Sequence, residues 1–116
     1  MKRSEIWLIS LDPTIGAEIK KTRPAIIVND NELGLLPLRV IVPLTDWKKR
    51  YSVANWMVKI ESDTNTNLIK VSAADCFQVR SVSKDRFVRK IGFVDGVTMK
   101  QIEIALQNVL GMNENE

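Results

Sequence analysis

Pro24-Ala25-Ile26-Ile27-Val28-Asn29-Asp30-Asn31 is the stretch that decides the fold of this 116-residue chain. An apolar run ends there in consecutive residues that favour turns, and a second apolar run follows from Leu38 to Leu44. Two nearly continuous apolar runs joined by so short a connection are typical of antiparallel strands covered on both faces. The sequence therefore predicts two paired, buried strands.

Further strands are predicted on both sides of this pair. The segment 5–12 is rich in residues that favour strands, and 56–60 has the composition of a fourth strand. The segment 68–82 predicts one or two more strands, with a break near Ala73 and Ala74. The chain thus contains a series of short strands, which favours an antiparallel sheet.

The C-terminal part predicts an amphipathic helix. Thr98 is the expected N-cap with Gln101 as its capping-box partner, and Gly111 is expected to close the helix. A shorter helix is predicted over 83–89, with Ser83 as its cap. We expect a mainly β (α+β) fold, a small and strongly bent sheet or barrel with a C-terminal helix, forming one domain over 1–116.

Composition limits the possible functions. The net charge of +3 and the pI near 9.2 lean towards an anionic partner, although many proteins with this balance bind no nucleic acid. No apolar stretch is long enough to span a membrane, so we expect no membrane partner and a cytoplasmic location. The single cysteine, Cys76, excludes an internal disulfide and is expected to be a small buried apolar residue.

The residue types exclude most hydrolytic mechanisms. Because the chain has no histidine, it cannot form a Ser-His or Cys-His nucleophile pair. Metal and nucleotide motifs are also missing, so we predict no cofactor and no metal. Arginine and hydroxyl groups remain, and they suit a phosphodiester, since a guanidinium binds phosphate oxygens with two parallel hydrogen bonds. RNA carries its own nucleophile, the 2′-hydroxyl.

Several motifs resemble the MazF/PemK toxins. Ile6-Trp7-Leu8-Ile9-Ser10-Leu11-Asp12-Pro13-Thr14-Ile15-Gly16-Ala17-Glu18 resembles the first strand and loop of that family, and Thr22-Arg23-Pro24 resembles its next strand. Val40-Ile41-Val42-Pro43-Leu44-Thr45 and Gln78-Val79-Arg80-Ser81-Val82 match later motifs in the same order. The resemblance covers nearly the whole chain. One departure is that some PemK-like relatives employ a histidine, which this chain lacks.

The resemblance implies a small SH3-like antiparallel barrel that forms a homodimer and cleaves single-stranded RNA without a metal. It also implies a MazE-like antitoxin whose acidic tail occupies the RNA groove. Arg23 and Thr45 fall on the family's catalytic arginine and threonine. Taken without the resemblance, composition favours a surface salt bridge of Arg23 with Glu18, and Thr45 could equally be an ordinary strand or turn residue.

Other residues receive supporting roles from the same resemblance. Glu18 would lie beside Arg23 and orient it, or be a solvated loop carboxylate. Gln78 would contact RNA or brace the groove, or be an exposed polar strand residue. Trp47 and Tyr51 could stack on bases, whereas Trp7 and Trp56 are expected in the core or an interface. The predicted RNA-binding cations, each otherwise only a solvated charge, are Lys20, Lys21, Lys48, Lys49, Arg50 and Arg80.

Two other functions fit the same fold. One is a gyrase-binding poison of the CcdB type, but such proteins carry a tryptophan near the chain end and the acidic tail 113–116 has none. The other is a catalytically silent SH3-like interaction module, which would not need Arg23 and Thr45. The leading interpretation is a sequence-specific endoribonuclease toxin that inhibits translation and growth.

Overall fold

A computed structural model describes residues 1–112, so the acidic tail 113–116 lies outside the described residues. It contains seven strands and one α-helix, in the chain order β1 (Glu5–Ser10), β2 (Thr22–Ile27), β3 (Leu38–Asp46), β4 (Met57–Ile60), β5 (Ser72–Asp75), β6 (Arg80–Ser83), β7 (Phe87–Phe93) and α1 (Gly96–Leu110). The strand pairs are antiparallel. The predicted mainly β fold with a C-terminal helix is confirmed.

Strand β3 is the centre of the sheet because it pairs with three others. On one side it pairs with β2, in the register Ala25↔Pro43. On the other side its first residues pair with β6 and its last residues pair with β5, as in Leu44↔Ala74. Strand β3 thus changes its partner along its length. Among residues 1–112, however, the sheet is not closed, since the strand order begins at β4 and ends at β7.

Both faces of the central strands are buried, which explains their continuous apolar sequences. Ile26 and Val42 point to one face and pack in a core with Met99 and Ile102 of α1. Alternate residues of the same strands, Ala25, Ile27 and Ile41, form a second core on the opposite face with Ile9, Leu11 and Val82. Burying each large apolar side chain contributes about 1.5–3 kcal/mol, so both cores stabilise the sheet.

Helix α1 begins earlier than the sequence indicated. Its N-cap is Asp95, whose Oδ1 accepts a hydrogen bond from Thr98 N at 2.8 Å, so the prediction that Thr98 is the cap was wrong. The end was predicted correctly, since Gly111 adopts a φ of 68° and Met112 N donates to Gln107 O at 2.9 Å. Within residues 1–112, no helix is long and apolar enough to cross a membrane.

Two local predictions need correction. The helix expected over 83–89 is a single 3₁₀ turn, Lys84–Arg86, capped by Ser83, and the chain then continues as β7. The break expected near Ala73 and Ala74 is also misplaced. Both alanines are fully buried inside β5, where a small side chain fits between neighbouring strands, and the break is the 3₁₀ turn Cys76–Gln78.

Glu5 connects the start of the chain to β7, and its ionisation is expected to affect stability. Its carboxylate accepts hydrogen bonds from Lys2 N and Trp7 Nε1, both at 2.9 Å, and pairs with Lys90 at 3.1 Å. Burial alone would raise the pKa of Glu5, but these partners outweigh it and lower the pKa from 4.5 to about 2.

Glu5→Gln should therefore lower the free energy of unfolding near pH 7, by about 1 kcal/mol, since solvent screens part of these interactions. Because the folded pKa lies below the unfolded value, the contribution of Glu5 is fully present above pH 4.5 and is lost as the pH falls towards 2. Urea unfolding of both proteins from pH 7 to pH 2.5 should show the difference shrinking below pH 4.5. A difference independent of pH would contradict this assignment.

Candidate active site

The structure brings Arg23 and Thr45 into one cavity. β2 pairs with β3 up to Ala25↔Pro43, and Arg23 and Thr45 each lie two residues beyond that pair on their own strands. Side chains alternate along a strand, so both lie on the face that points away from α1. They line a cavity of about 330 Å³ with Lys21, Asp46 and Lys70.

The guanidinium of Arg23 is half-buried and largely unpaired. Its Nε donates to Lys20 O at 3.4 Å, and within residues 1–112 the group has no other hydrogen bond and no ion pair. Its two terminal nitrogens are therefore available to an anion in the cavity. Arg23 therefore presents a positive charge to the cavity that Thr45 also lines.

Two charged residues of this cavity were missed by the sequence analysis. Lys70 Nζ and Asp46 Oδ2 form an ion pair at 3.0 Å, and both side chains are more than half exposed. Asp46 was detectable in principle because it directly follows Thr45. Lys70 gave no such signal, since it lies in the connection between β4 and β5 and reaches the cavity only through the fold.

Glu18 does not orient Arg23. Its Oε1 accepts a hydrogen bond from Ile15 N at 2.6 Å, and the ion pairs found within residues 1–112 do not include one between Glu18 and Arg23. The predicted pairing of Glu18 with Arg23 is therefore wrong. Its cause is the path of the β1–β2 connection, whose residues 17–19 border a second cavity, of about 450 Å³, rather than the one that contains Arg23.

Gln78 braces the β1–β2 connection. Its Oε1 accepts from Ile19 N at 2.6 Å, while its Nε2 donates to Ala17 O and to Asp75 Oδ2, each at 3.3 Å. Of the roles considered for Gln78, the described contacts correspond to bracing. These bonds hold the segment that leads to Lys20, Lys21 and Arg23.

Buried polar groups surround this brace. Burial raises the pKa of Asp75, against the effect of the hydrogen bonds that it accepts. Burial, together with the nearby Asp75 charge, raises the pKa of the Cys76 thiol to about 12. Cys76 is thus a protonated, buried residue and not a nucleophile. Arg80 lines the second cavity, and its Nη1 is buried without a hydrogen-bond partner among the residues described.

The cations predicted on the turn after β3 lie outside the Arg23 cavity. Lys48, Lys49 and Arg50 are exposed beyond the end of β3. The aromatic side chains there already have partners: Tyr51 meets Trp47 edge to face at 6.0 Å. Lys59 Nζ lies 5.5 Å from the centre of the Trp47 ring. Stacking of a base on Trp47 would therefore compete with an existing cation–π contact.

Potential metal ligands are dispersed. In the part of the chain that the structure describes, no three carboxylate or thiol side chains are grouped so that they could share an ion. The charged groups that do converge on Thr45 are two lysines and an arginine, with one carboxylate. This arrangement has the chemistry of an anion-binding site.

Comparisons with known proteins agree with this geometry. A family model described as "PemK-like, MazF-like toxin of type II toxin-antitoxin system" matches residues 2–110. The chain is 32% identical over 113 residues to Endoribonuclease MazF9 of Mycobacterium tuberculosis, covering 92% of this chain and 93% of the relative. It is also 32% identical over 114 residues to Endoribonuclease PemK of Escherichia coli, covering 95% and 82%.

Solved structures show the same fold. A MazF crystal structure from Deinococcus radiodurans superposes with a TM-score of 0.80 at 18% identity, covering 97% of each chain. A mycobacterial endoribonuclease in complex with its cognate antitoxin superposes with a TM-score of 0.76 at 20% identity, also covering 97% of each chain. The protein belongs to the PemK-like, MazF-like toxins of type II toxin–antitoxin systems. The family predicted from the sequence motifs is confirmed.

Proposed function

We propose that this protein is a metal-independent endoribonuclease that cleaves single-stranded RNA at a preferred sequence. The observation that carries the proposal is that the terminal nitrogens of Arg23 have no partner and lie in a cavity that Thr45 also lines and that has a net positive charge. Family membership supports it, and the matched relatives are named endoribonucleases. Cutting messenger RNA in the cytoplasm would inhibit translation and growth.

The reaction is a transesterification within the RNA. The 2′-hydroxyl loses its proton to solvent as its oxygen attacks the neighbouring phosphorus, the bond from phosphorus to the 5′-oxygen breaks, and that oxygen takes up a proton from solvent, so no proton is gained or lost overall. The products are a 2′,3′-cyclic phosphate and a 5′-hydroxyl. Because RNA supplies the nucleophile, the protein contributes position and charge stabilisation, which need neither a histidine nor a cysteine.

Arg23 and Thr45 have complementary roles in this step. Negative charge accumulates on the non-bridging phosphate oxygens in the transition state, and the terminal nitrogens of Arg23 can donate two parallel hydrogen bonds to them. The Thr45 hydroxyl adds a third donor to the same phosphate. Both residues lie on paired central strands and not on a free loop, so their positions are preorganised.

The remaining predicted residues would act on binding. Lys21 lines the cavity, and Lys20 precedes it. Lys48, Lys49 and Arg50 would attract the RNA strand beyond β3, and Arg80 would meet a phosphate in the second cavity. Such contacts set affinity and its salt dependence more than the rate of the chemical step.

A cleavage assay in excess EDTA tests the proposal. Purified protein should cut a long RNA at defined positions, and the fragments should end in 2′,3′-cyclic phosphates and 5′-hydroxyls. Intact RNA together with stalled gyrase would instead support a gyrase-binding poison, a function that the named relatives do not favour. Intact RNA without an effect on gyrase would support a catalytically silent interaction module.

We also propose a homodimer and a MazE-like antitoxin as partners. A neighbour of the same fold was solved in complex with its cognate antitoxin. An acidic antitoxin segment would be attracted to the same cations as RNA, so the two should compete. Sedimentation above micromolar concentration should show a dimer, and added antitoxin should protect RNA from cleavage.

A further inference from the structure

The ion pair of Lys70 with Asp46 lies on the other side of Thr45 from Arg23. Thr45 pairs with Ala73 of β5 on one side, and the continued β2 register places Arg23 on the other. Lys70 precedes β5, so it borders the cavity from the β5 side. A strand of RNA that crosses Thr45 would therefore meet a cation on each side.

The connection that carries Lys70 is held in place at several points. The Ser72 hydroxyl donates to Lys70 O at 3.0 Å, and Trp47 N donates to Val71 O at 3.3 Å. Earlier in the connection, the Ser62 hydroxyl donates to Leu68 O at 2.5 Å. The backbone of Lys70 is thus fixed relative to β3, and only its side chain is free to change partner.

Stability gives little reason for this ion pair. The Lys70 and Asp46 side chains are 66% and 52% exposed, and ion pairs this exposed contribute little to folding. Their position offers a better reason. The cavity is lined by three cations, Lys21, Arg23 and Lys70, and one carboxylate, Asp46, so a phosphate that enters competes with Asp46 for Lys70.

We propose that Lys70 binds the phosphate next to the scissile one, exchanging the carboxylate of Asp46 for a phosphate oxygen when RNA enters. This inference rests on the proposed function. Strand β3, which carries Thr45, lies between β2, which carries Arg23, and the connection before β5, which carries Lys70, so the two cations approach Thr45 from opposite sides. Each cation can therefore contact a different phosphate, with Arg23 on the scissile phosphate and Lys70 on its neighbour. Lys70 is a substrate-binding residue that sets the path of the RNA across Thr45.

The test measures binding of an oligoribonucleotide that spans a mapped cleavage site. A 2′-deoxy nucleotide at the cleaved position removes the attacking hydroxyl, so the RNA binds without being cut. Lys70→Met should weaken binding about tenfold at low salt and should reduce the slope of log Kd against log salt by about 0.7. The matched control is Lys100→Met, because Lys100 also forms an exposed ion pair, with Glu103 at 3.7 Å, on the opposite side of the sheet.

Replacing one RNA phosphate with an uncharged methylphosphonate shows which phosphate Lys70 binds. A methylphosphonate placed at the phosphate on one side of the cleaved bond should weaken binding by the wild type but not by Lys70→Met. Asp46→Asn should bind RNA several-fold more tightly, because it removes the competing carboxylate. Unchanged affinity in Lys70→Met, or weaker binding with an unchanged salt slope, would overturn the proposal, as would weaker binding by Asp46→Asn.

Failure of this inference is distinguishable from failure of the proposed function. If the wild type cuts RNA in EDTA and Lys70→Met behaves like Lys100→Met, only the role of Lys70 is wrong. If the wild type neither binds nor cuts RNA, the proposed function is wrong, and the inference falls with it.

Discussion

Replacing Arg23 with alanine is expected to lower the single-turnover rate of RNA cleavage by about 10²-fold or more, with much of the RNA affinity retained. The loss of one preorganised donor to a transition-state charge typically has an effect of this size. Arg23→Lys should not restore the rate, because an ammonium lacks the planar pair of donors. The readout is the rate of fragment formation from a radiolabelled RNA at saturating enzyme.

Two comparisons separate this role from a general effect of charge. Arg89→Ala removes an exposed arginine of β7 that does not line the Arg23 cavity, so it should cleave at the wild-type rate. Thr45→Val keeps the branched shape and removes the hydroxyl, so it should slow cleavage with little change in stability. A folded Arg23→Ala protein that cuts at close to the wild-type rate, or products with 5′-phosphates, would contradict the mechanism.

Replacing Gly92 with alanine is expected to cause the largest loss of stability. A Cβ at Gly92 would lie 2.7 Å from the carbonyl carbon of Thr66 and would also collide with the carbonyl oxygen of Asn65. These are backbone atoms, so a side-chain rotation cannot relieve the contact. Strain of this kind costs about 3 kcal/mol, which lowers the Tm of a domain of this size by 10 °C or more, to be measured by thermal unfolding.

Gly96→Ala is the matched control for Gly92→Ala. Gly96 begins α1, and a Cβ there would meet no atom within 4 Å. The substitution should leave the Tm unchanged or slightly raised, because alanine favours a helix more than glycine does. Equal stability of the two variants would mean that the backbone of Asn65 and Thr66 does not lie against Gly92.

The strands with strong apolar sequences were predictable, and the amphipathic edge strand was not. The β2 and β3 segments are covered on both faces, so each of them has one continuous apolar signal. Strand β7 has exposed residues from Val88 to Lys90, and it follows a correctly predicted Ser83 cap, so the pattern resembled a helix start. The cap holds only one 3₁₀ turn, and pairing with β1 then determines the strand. Pairing with β1 therefore outweighed the local preference for a helix.

The site was predictable where a motif lies on a strand, and was missed where the contact depends on the path of a connection. Arg23 and Thr45 come together because they lie on neighbouring strands, and the pairing of β2 with β3 determines which side chains are close. Glu18 is close to Arg23 in sequence, yet the hydrogen bonds of Gln78 hold its segment over a different cavity. Lys70 reaches Asp46 across 24 residues, a proximity that no local pattern encodes.

Because side chains alternate between the two faces of β3, this strand should tolerate substitutions better than insertions or deletions. Thr45 lines the Arg23 cavity, and its neighbour Leu44, which also borders that cavity, is buried in the helix-side core, so successive residues of β3 belong to the proposed site and to the core. A single substitution affects one of the two. Deletion or insertion of one residue within β3 would shift every following side chain to the opposite face, exposing core residues and burying the hydroxyl together. Length variation in such toxins should therefore accumulate in the connections, while the strands vary only by replacement.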